Sequence, residues 1–205
     1  VDIYLSTDVE PNSGLGASSA LTTNFVNVIT HLNGKKWNQN KIAMKAYKIG
    51  HDILKWGIGK QDEFASAYGG FNIFKFTKDR VTVNPISLNR STQTELENNS
   101  LLFRLGNRKH SAGILKAQIR AINKSKPDTI EALHSAKDLA LKMRDVLKQN
   151  DLVSFYKIIN DGWKVKKRFT KGVSNTMIDN VSKVAFSSGA NALKVTGAGG
   201  GGHMY

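Results

Sequence analysis

The stretch Pro11-Asn12-Ser13-Gly14-Leu15-Gly16-Ala17-Ser18-Ser19-Ala20 decides how this chain is read. An alternating segment, Ile3 to Val9, runs into it, and an apolar helical segment runs out of it. A strand, a glycine loop and a helix start together make a phosphate cradle. The first backbone N–H groups of a helix have no partner inside it. The helix dipole adds roughly half a positive charge at the same end. Glycines let an anion come close to the backbone, and small hydroxyls add donors. Two common phosphate motifs are excluded. No lysine closes the stretch as in the Walker loop, and Ser19 stands where the dinucleotide fingerprint needs its third glycine. A plain glycine turn with a serine cap uses the same residue types and stays open at this point.

The 205-residue chain has room for one large or two small domains, and 40% apolar residues suffice for a packed core. No run of eighteen apolar residues predicts a membrane span. The first residues show no signal-peptide pattern, and cysteine is absent, which excludes disulfide and thiolate chemistry. Both point to a cytoplasmic location. The net charge of +14 favours polyanions: nucleic acid, nucleotides or sugar phosphates. The basic residues are scattered, and the densest group is Lys164, Lys166, Lys167, Arg168 and Lys171, which also reads as a solvated helix end.

Periodicity predicts a helix from about Ser18 to Leu32 with Leu21, Phe25, Val28 and Leu32 on its inner face, stopped by Asn33-Gly34. A second helix is expected from about Asn40 to Trp56, burying Ile42, Ala46, Ile49, Ile53 and Trp56, with Gly50 out of place inside it. A short helix follows Gly57-Ile58-Gly59-Lys60, and a hairpin covers Phe71–Phe76 and Arg80–Asn84. The polar segment 86–99 marks a domain boundary, giving domains of about 1–85 and 100–205. Beyond it the pattern predicts a strand at Leu101–Leu105 and a helix at Ser111–Ile122. A helical hairpin broken at Asn150-Asp151 follows, then a helix at Thr176–Ser188 with Met177, Val181 and Val184 inward. Last comes a strand at Ala192–Val195 leading into Gly197-Ala198-Gly199-Gly200-Gly201-Gly202.

The order Pro-x-x-Gly-Leu-Gly-x-Ser-Ser-Ala resembles the phosphate loop of the GHMP kinases, and Lys194 to Gly202 resembles that family's C-terminal glycine motif. The run Gly59-Lys60-Gln61-Asp62 with Ala65, Gly69-Gly70 and Phe71-Asn72 is similar to the members that phosphorylate D-glycero-D-manno-heptose 7-phosphate. The resemblance implies an α+β fold of the GHMP kinase type. Its phosphate-loop N-terminal domain would be ribosomal protein S5 domain 2-like, and its C-terminal domain ferredoxin-like. It also implies that the chain is an internal portion, with family segments before Val1 and after Tyr205.

By the same resemblance, ATP lies on Ser13, Gly14, Leu15, Gly16, Ala17, Ser18 and Ser19, and on Gly197, Ala198, Gly199 and Gly200. The resemblance implies Ser18 as the candidate Mg²⁺ ligand. Asp62 is the catalytic base, although a carboxylate in a first helical turn is also a common structural device. The family's metal-holding glutamate, twelve residues before the base, falls on Gly50, so the sequence departs from the pattern there. Arg108 is a candidate for the sugar phosphate, or a solvated loop residue. The implied activity is ATP-dependent phosphorylation of a sugar hydroxyl, with the heptose phosphate as expected substrate and no membrane partner. A fucokinase-like or galactokinase-like kinase is the alternative enzyme, and a basic nucleic-acid-binding module the alternative of another class.

Overall fold

Gly16 takes the left-handed conformation, with φ +77, and turns the chain into helix α1, Ala17–Leu32. A residue with a side chain reaches that region only at a cost, so glycine is what permits the helix to begin here. Asn33 and left-handed Gly34 close α1, as the sequence signals. The structure, a computed structural model, describes residues 2–10, 12–106 and 111–205. The chain divides into two compact units, Val1–Asn84 and Pro85–Tyr205.

In the first unit α1 packs against α2, Gln39–Lys48, and α3, Gln61–Tyr68. Asn38 caps α2 by accepting from the Lys41 N–H at 2.9 Å. The inner face of α1 differs from the expectation. Ser19, Thr23, Val26 and Thr30 are buried, whereas Leu21, Phe25, Val28 and Leu32 are exposed. Both faces repeat with the same period, so periodicity gives the helix without saying which face meets the neighbours. The small face admits the other helices closely.

The second helix is also shorter than expected. Its α-helical part ends at Lys48, and Ile49–Ile53 forms a π-helical turn. Ile42 and Ala46 are buried with Val26, but Ile53 and Trp56 are exposed. Strands β1, Asn72–Phe76, and β2, Val81–Pro85, form the expected two-stranded sheet, closed by the Thr77 N–H to Arg80 carbonyl bond of 2.9 Å. Phe64 of α3 makes edge contacts with Phe74 and Phe76. The strand expected at the start of the chain does not form. Among the described residues it has no ladder partner, and Ile3, Tyr4 and Leu5 are exposed.

In the second unit the polar segment 86–99 carries a helix. Asn89 caps α4, Arg90–Asn98, and Thr92 and Leu96, four apart, are its buried residues. Strand β3, Phe103–Gly106, pairs antiparallel with β4, Gly202–Met204, in the register Phe103 to Met204 and Arg104 to His203. Helix α5 is Ser111–Asn123. Helices α6, Pro127–Gln149, and α7, Leu152–Lys167, make the expected helical hairpin, turned by left-handed Asn150 and capped by Asp151. In α8, Thr176–Ser187, the inward residues are Ile178, Val181 and Ala185, while Met177 and Val184 are exposed. The expected strand at Ala192–Val195 is reduced to a bridge from Val195 to Met204. Leu105, Ile114, Trp163, Val173, Ile178 and Val195 form the core around it.

Candidate functional site

The phosphate loop is built as an open helix start. Gly16 provides no side-chain cap for α1, so the N–H groups of Ala17, Ser18 and Ser19 face outward without an intrahelical partner. A Cβ placed on Gly16 would meet no atom within 4 Å, so the space on that side of Gly16 is open. Gly14 is also left-handed, with φ +78. Buried Ser13 folds the loop by accepting from the Leu15 N–H at 3.3 Å. Ser18 is exposed, and its carbonyl accepts from the Thr22 hydroxyl at 2.9 Å. The anionic part of a nucleotide fits this arrangement by charge and by space.

Asp62 stands exposed in the first turn of α3, where its carbonyl accepts from the Ser66 hydroxyl at 2.8 Å. Its neighbour Glu63 was not singled out by the sequence, and it is the more unusual group. Glu63 is 2% exposed, and the Ser19 hydroxyl donates to its Oε1 at 2.9 Å. Its Oε2 is buried with no hydrogen-bond partner, as is the Thr23 hydroxyl one turn further along α1. Burial pushes the Glu63 carboxyl above the usual glutamate range; its own backbone N–H and then the Ser19 hydroxyl oppose the rise, and Asp62 adds slightly to it. The sequence holds no separate signal for Glu63, because its burial comes from the packing of α1 against α3.

Gly50 is buried in the π-helical turn, and its carbonyl accepts from the Trp56 N–H at 2.9 Å. A Cβ there would lie 2.6 Å from Ile58 Cδ1 and 3.3 Å from Trp56 Cε3. The glycine out of place in a helix is thus explained by close packing. His51 and Asp52 pair with each other at 2.8 Å on the exposed side of the turn. Among the described residues no group of three or more histidine, aspartate or glutamate side chains is placed to hold a metal. A cation at the loop would therefore be held by few protein atoms, with the Ser18 hydroxyl the available one.

The second glycine run belongs to the second unit. Gly197, Gly199, Gly200, Gly201 and Gly202 all have positive φ. A Cβ on Gly199 would lie 2.6 Å from the Val173 carbonyl oxygen, and one on Gly200 would lie 2.7 Å from Ile114 Cδ1. These two glycines admit the unit's own backbone and core, and the Gly200 N–H donates to the Val173 carbonyl at 2.8 Å. Lys166 ties the run to α7 by donating to the Val195 and Gly197 carbonyls. Three more of the basic group are paired, Lys167 with Asp179 at 4.0 Å among them. Arg168 meets Asp128 at 2.6 Å and Glu131 at 3.1 Å, and Lys164 meets Asp161 at 3.1 Å. Arg108 lies outside the described residues. Among those residues no helix is long and apolar enough to cross a membrane.

Residues 1–70 match the family described as GHMP kinases, N terminal domain. Over 204 residues the chain is 30% identical to a D-glycero-alpha-D-manno-heptose 7-phosphate kinase from Campylobacter jejuni, covering 99% of this chain and 60% of that protein. It superposes on the crystal structure of a D-glycero-D-manno-heptose 1-phosphate kinase from Bacteroides thetaiotaomicron with a TM-score of 0.73 and 28% identity, covering 98% of this chain and 55% of that one. The mevalonate kinase of L. major, at 17% identity and a TM-score of 0.66, shares the fold. The resemblance carried by the two glycine stretches is borne out by these matches. The chain spans a little over half the length of these relatives.

Proposed function

We propose, for a chain whose first 70 residues match the GHMP kinase N-terminal domain, the activity of an ATP-dependent sugar kinase. The preferred acceptor is the anomeric hydroxyl of D-glycero-D-manno-heptose 7-phosphate, which would supply the synthesis of nucleotide-activated heptose. The observation that carries this reading is the open start of α1 joined by the Ser19–Glu63 hydrogen bond to the helix turn that bears Asp62. Phosphate oxygens would be received by the N–H groups of Ala17, Ser18 and Ser19, with Ser13 to Gly16 shaping the loop. Asp62, exposed beside that helix, would accept the proton of the attacking hydroxyl and hold it in line. Mg²⁺, when bound, would neutralise charge on the phosphates, and Ser18 would hold it together with phosphate and water oxygens. Arg108 is assigned to the sugar phosphate on its charge and its place in the sequence after the Leu101–Leu105 segment, and Gly197, Ala198, Gly199 and Gly200 are assigned to the nucleotide on the resemblance alone. So are the ribosomal protein S5 domain 2-like and ferredoxin-like descriptions of domains 1–85 and 100–205.

The ion pairs and carbonyl contacts of the basic group around Lys166 and Arg168 favour small anionic ligands over nucleic acid. The test is ADP formation from ATP with a panel of acceptors: the heptose 7-phosphate, fucose, galactose and mevalonate. Turnover with the heptose phosphate and little with the others supports the reading. Turnover with fucose or galactose alone replaces the substrate. No ATP binding, together with binding to nucleic acid that weakens steeply with salt, refutes the kinase.

A further inference from the structure

We propose that Glu63 is a positioning residue of the phosphate loop: through Ser19 it fixes the start of α1 against the first turn of α3, and so sets the distance between the bound phosphate and Asp62. This rests on the kinase reading of the loop. Ser19 is the third residue of α1 and Glu63 the third of α3, so one hydrogen bond of 2.9 Å joins two helix starts that lie 44 residues apart in sequence. Stability alone gives no reason for a carboxyl at this place. Glu63 is 2% exposed, its Oε2 has no partner, and no basic group is among those acting on it. A buried, half-satisfied carboxyl is weaker than an apolar side chain of similar volume as a source of folding energy. What the carboxyl supplies is a directional acceptor, and the residue it holds is one of the three whose N–H groups would face the anion. Asp62 adjoins it in the same turn, so a shift of Glu63 moves the base and the loop relative to each other.

The experiment compares the parent chain with Glu63→Leu, Glu63→Gln, Ser19→Ala and the Ser19→Ala/Glu63→Leu double variant. Melting temperature and ADP affinity are measured on each. Glu63→Leu should melt at the parent temperature or above it and bind ADP about tenfold more weakly. Glu63→Gln retains the acceptor and should restore affinity to within about twofold. Ser19→Ala should weaken binding as Glu63→Leu does, and the double variant should lose no more than either alone. Should Glu63→Leu fail to fold, Ser19→Ala carries the same test with Glu63 in place. Unchanged ADP affinity in a folded Glu63→Leu or Ser19→Ala overturns the inference and leaves the kinase reading intact. So does a loss that merely follows a lowered melting temperature. A parent chain that binds no ADP overturns the kinase reading itself, and the positioning role with it.

Discussion

Replacing Gly50 with alanine should lower the stability of the first unit, although alanine is the better helix former. The gain from propensity is at most about 1 kcal/mol. Against it stands the new Cβ, 2.6 Å from Ile58 Cδ1 and 3.3 Å from Trp56 Cε3. Relief requires the Ile58 methyl to retreat by about 1 Å to an ordinary contact distance. Overpacking of this kind costs about 1–3 kcal/mol. The net expectation is a loss of roughly 1 kcal/mol, which in a unit of this size lowers the melting temperature by about 4–8 °C. Thermal unfolding followed by circular dichroism reads it. The structure also names the cure. Ile58→Val deletes the atom that is met first, so Gly50→Ala/Ile58→Val should be more stable than the sum of the two single changes predicts, by about 1 kcal/mol. A melting temperature at or above the parent in Gly50→Ala, or no coupling with Ile58→Val, would refute the packing argument. Gly50→Glu meets the same wall with a longer side chain, so it should destabilise and should not improve a metal site.

Other expectations are simpler to state. Asp62→Asn should keep the fold and nucleotide affinity and lose about 10²–10⁴-fold in turnover, read by ADP release with a saturating acceptor. Gly16→Val forces a β-branched residue into φ +77, so it should cost at least about 1–2 kcal/mol and abolish ATP binding, while unaltered affinity would remove the loop assignment. Gly199→Ala aims a Cβ at the Val173 carbonyl from a φ of +94 and should destabilise the second unit by about 2–4 kcal/mol in a denaturant titration. The raised pKa of Glu63 means that the folded state holds its proton more tightly than the unfolded chain. Its contribution to stability is therefore complete below the ordinary glutamate pKa of 4.5 and is lost as pH rises through the folded value. Glu63→Gln should flatten that part of the stability profile.

Much of the architecture was legible because it rests on local signals. Asn33-Gly34 and Asn150-Asp151 stop helices through their own backbone preferences, and the hairpin of β1 and β2 follows from alternation around a polar turn. What escaped depends on partners. The face of α1 marked by Leu21, Phe25, Val28 and Leu32 is as periodic as the face that is buried, and only the packing of α2 and α3 selects between them. In the π-helical turn at Ile49–Ile53, Ile58 and Trp56 close over Gly50, a contact with no trace in spacing. Within the site, the open start of α1 was readable from the glycines and serines. Glu63 was passed over for its exposed neighbour Asp62, because its role arises from a hydrogen bond to a helix 44 residues away.

The most direct measurement of the central claim is a titration of ATP followed by backbone amide resonances. The account predicts saturable shifts concentrated on Gly14 to Ser19, with a smaller response at Asp62 and Glu63 and loss of all of them in Gly16→Val. Saturable ATP shifts that leave Ala17, Ser18 and Ser19 unmoved, or no binding at all, would contradict it.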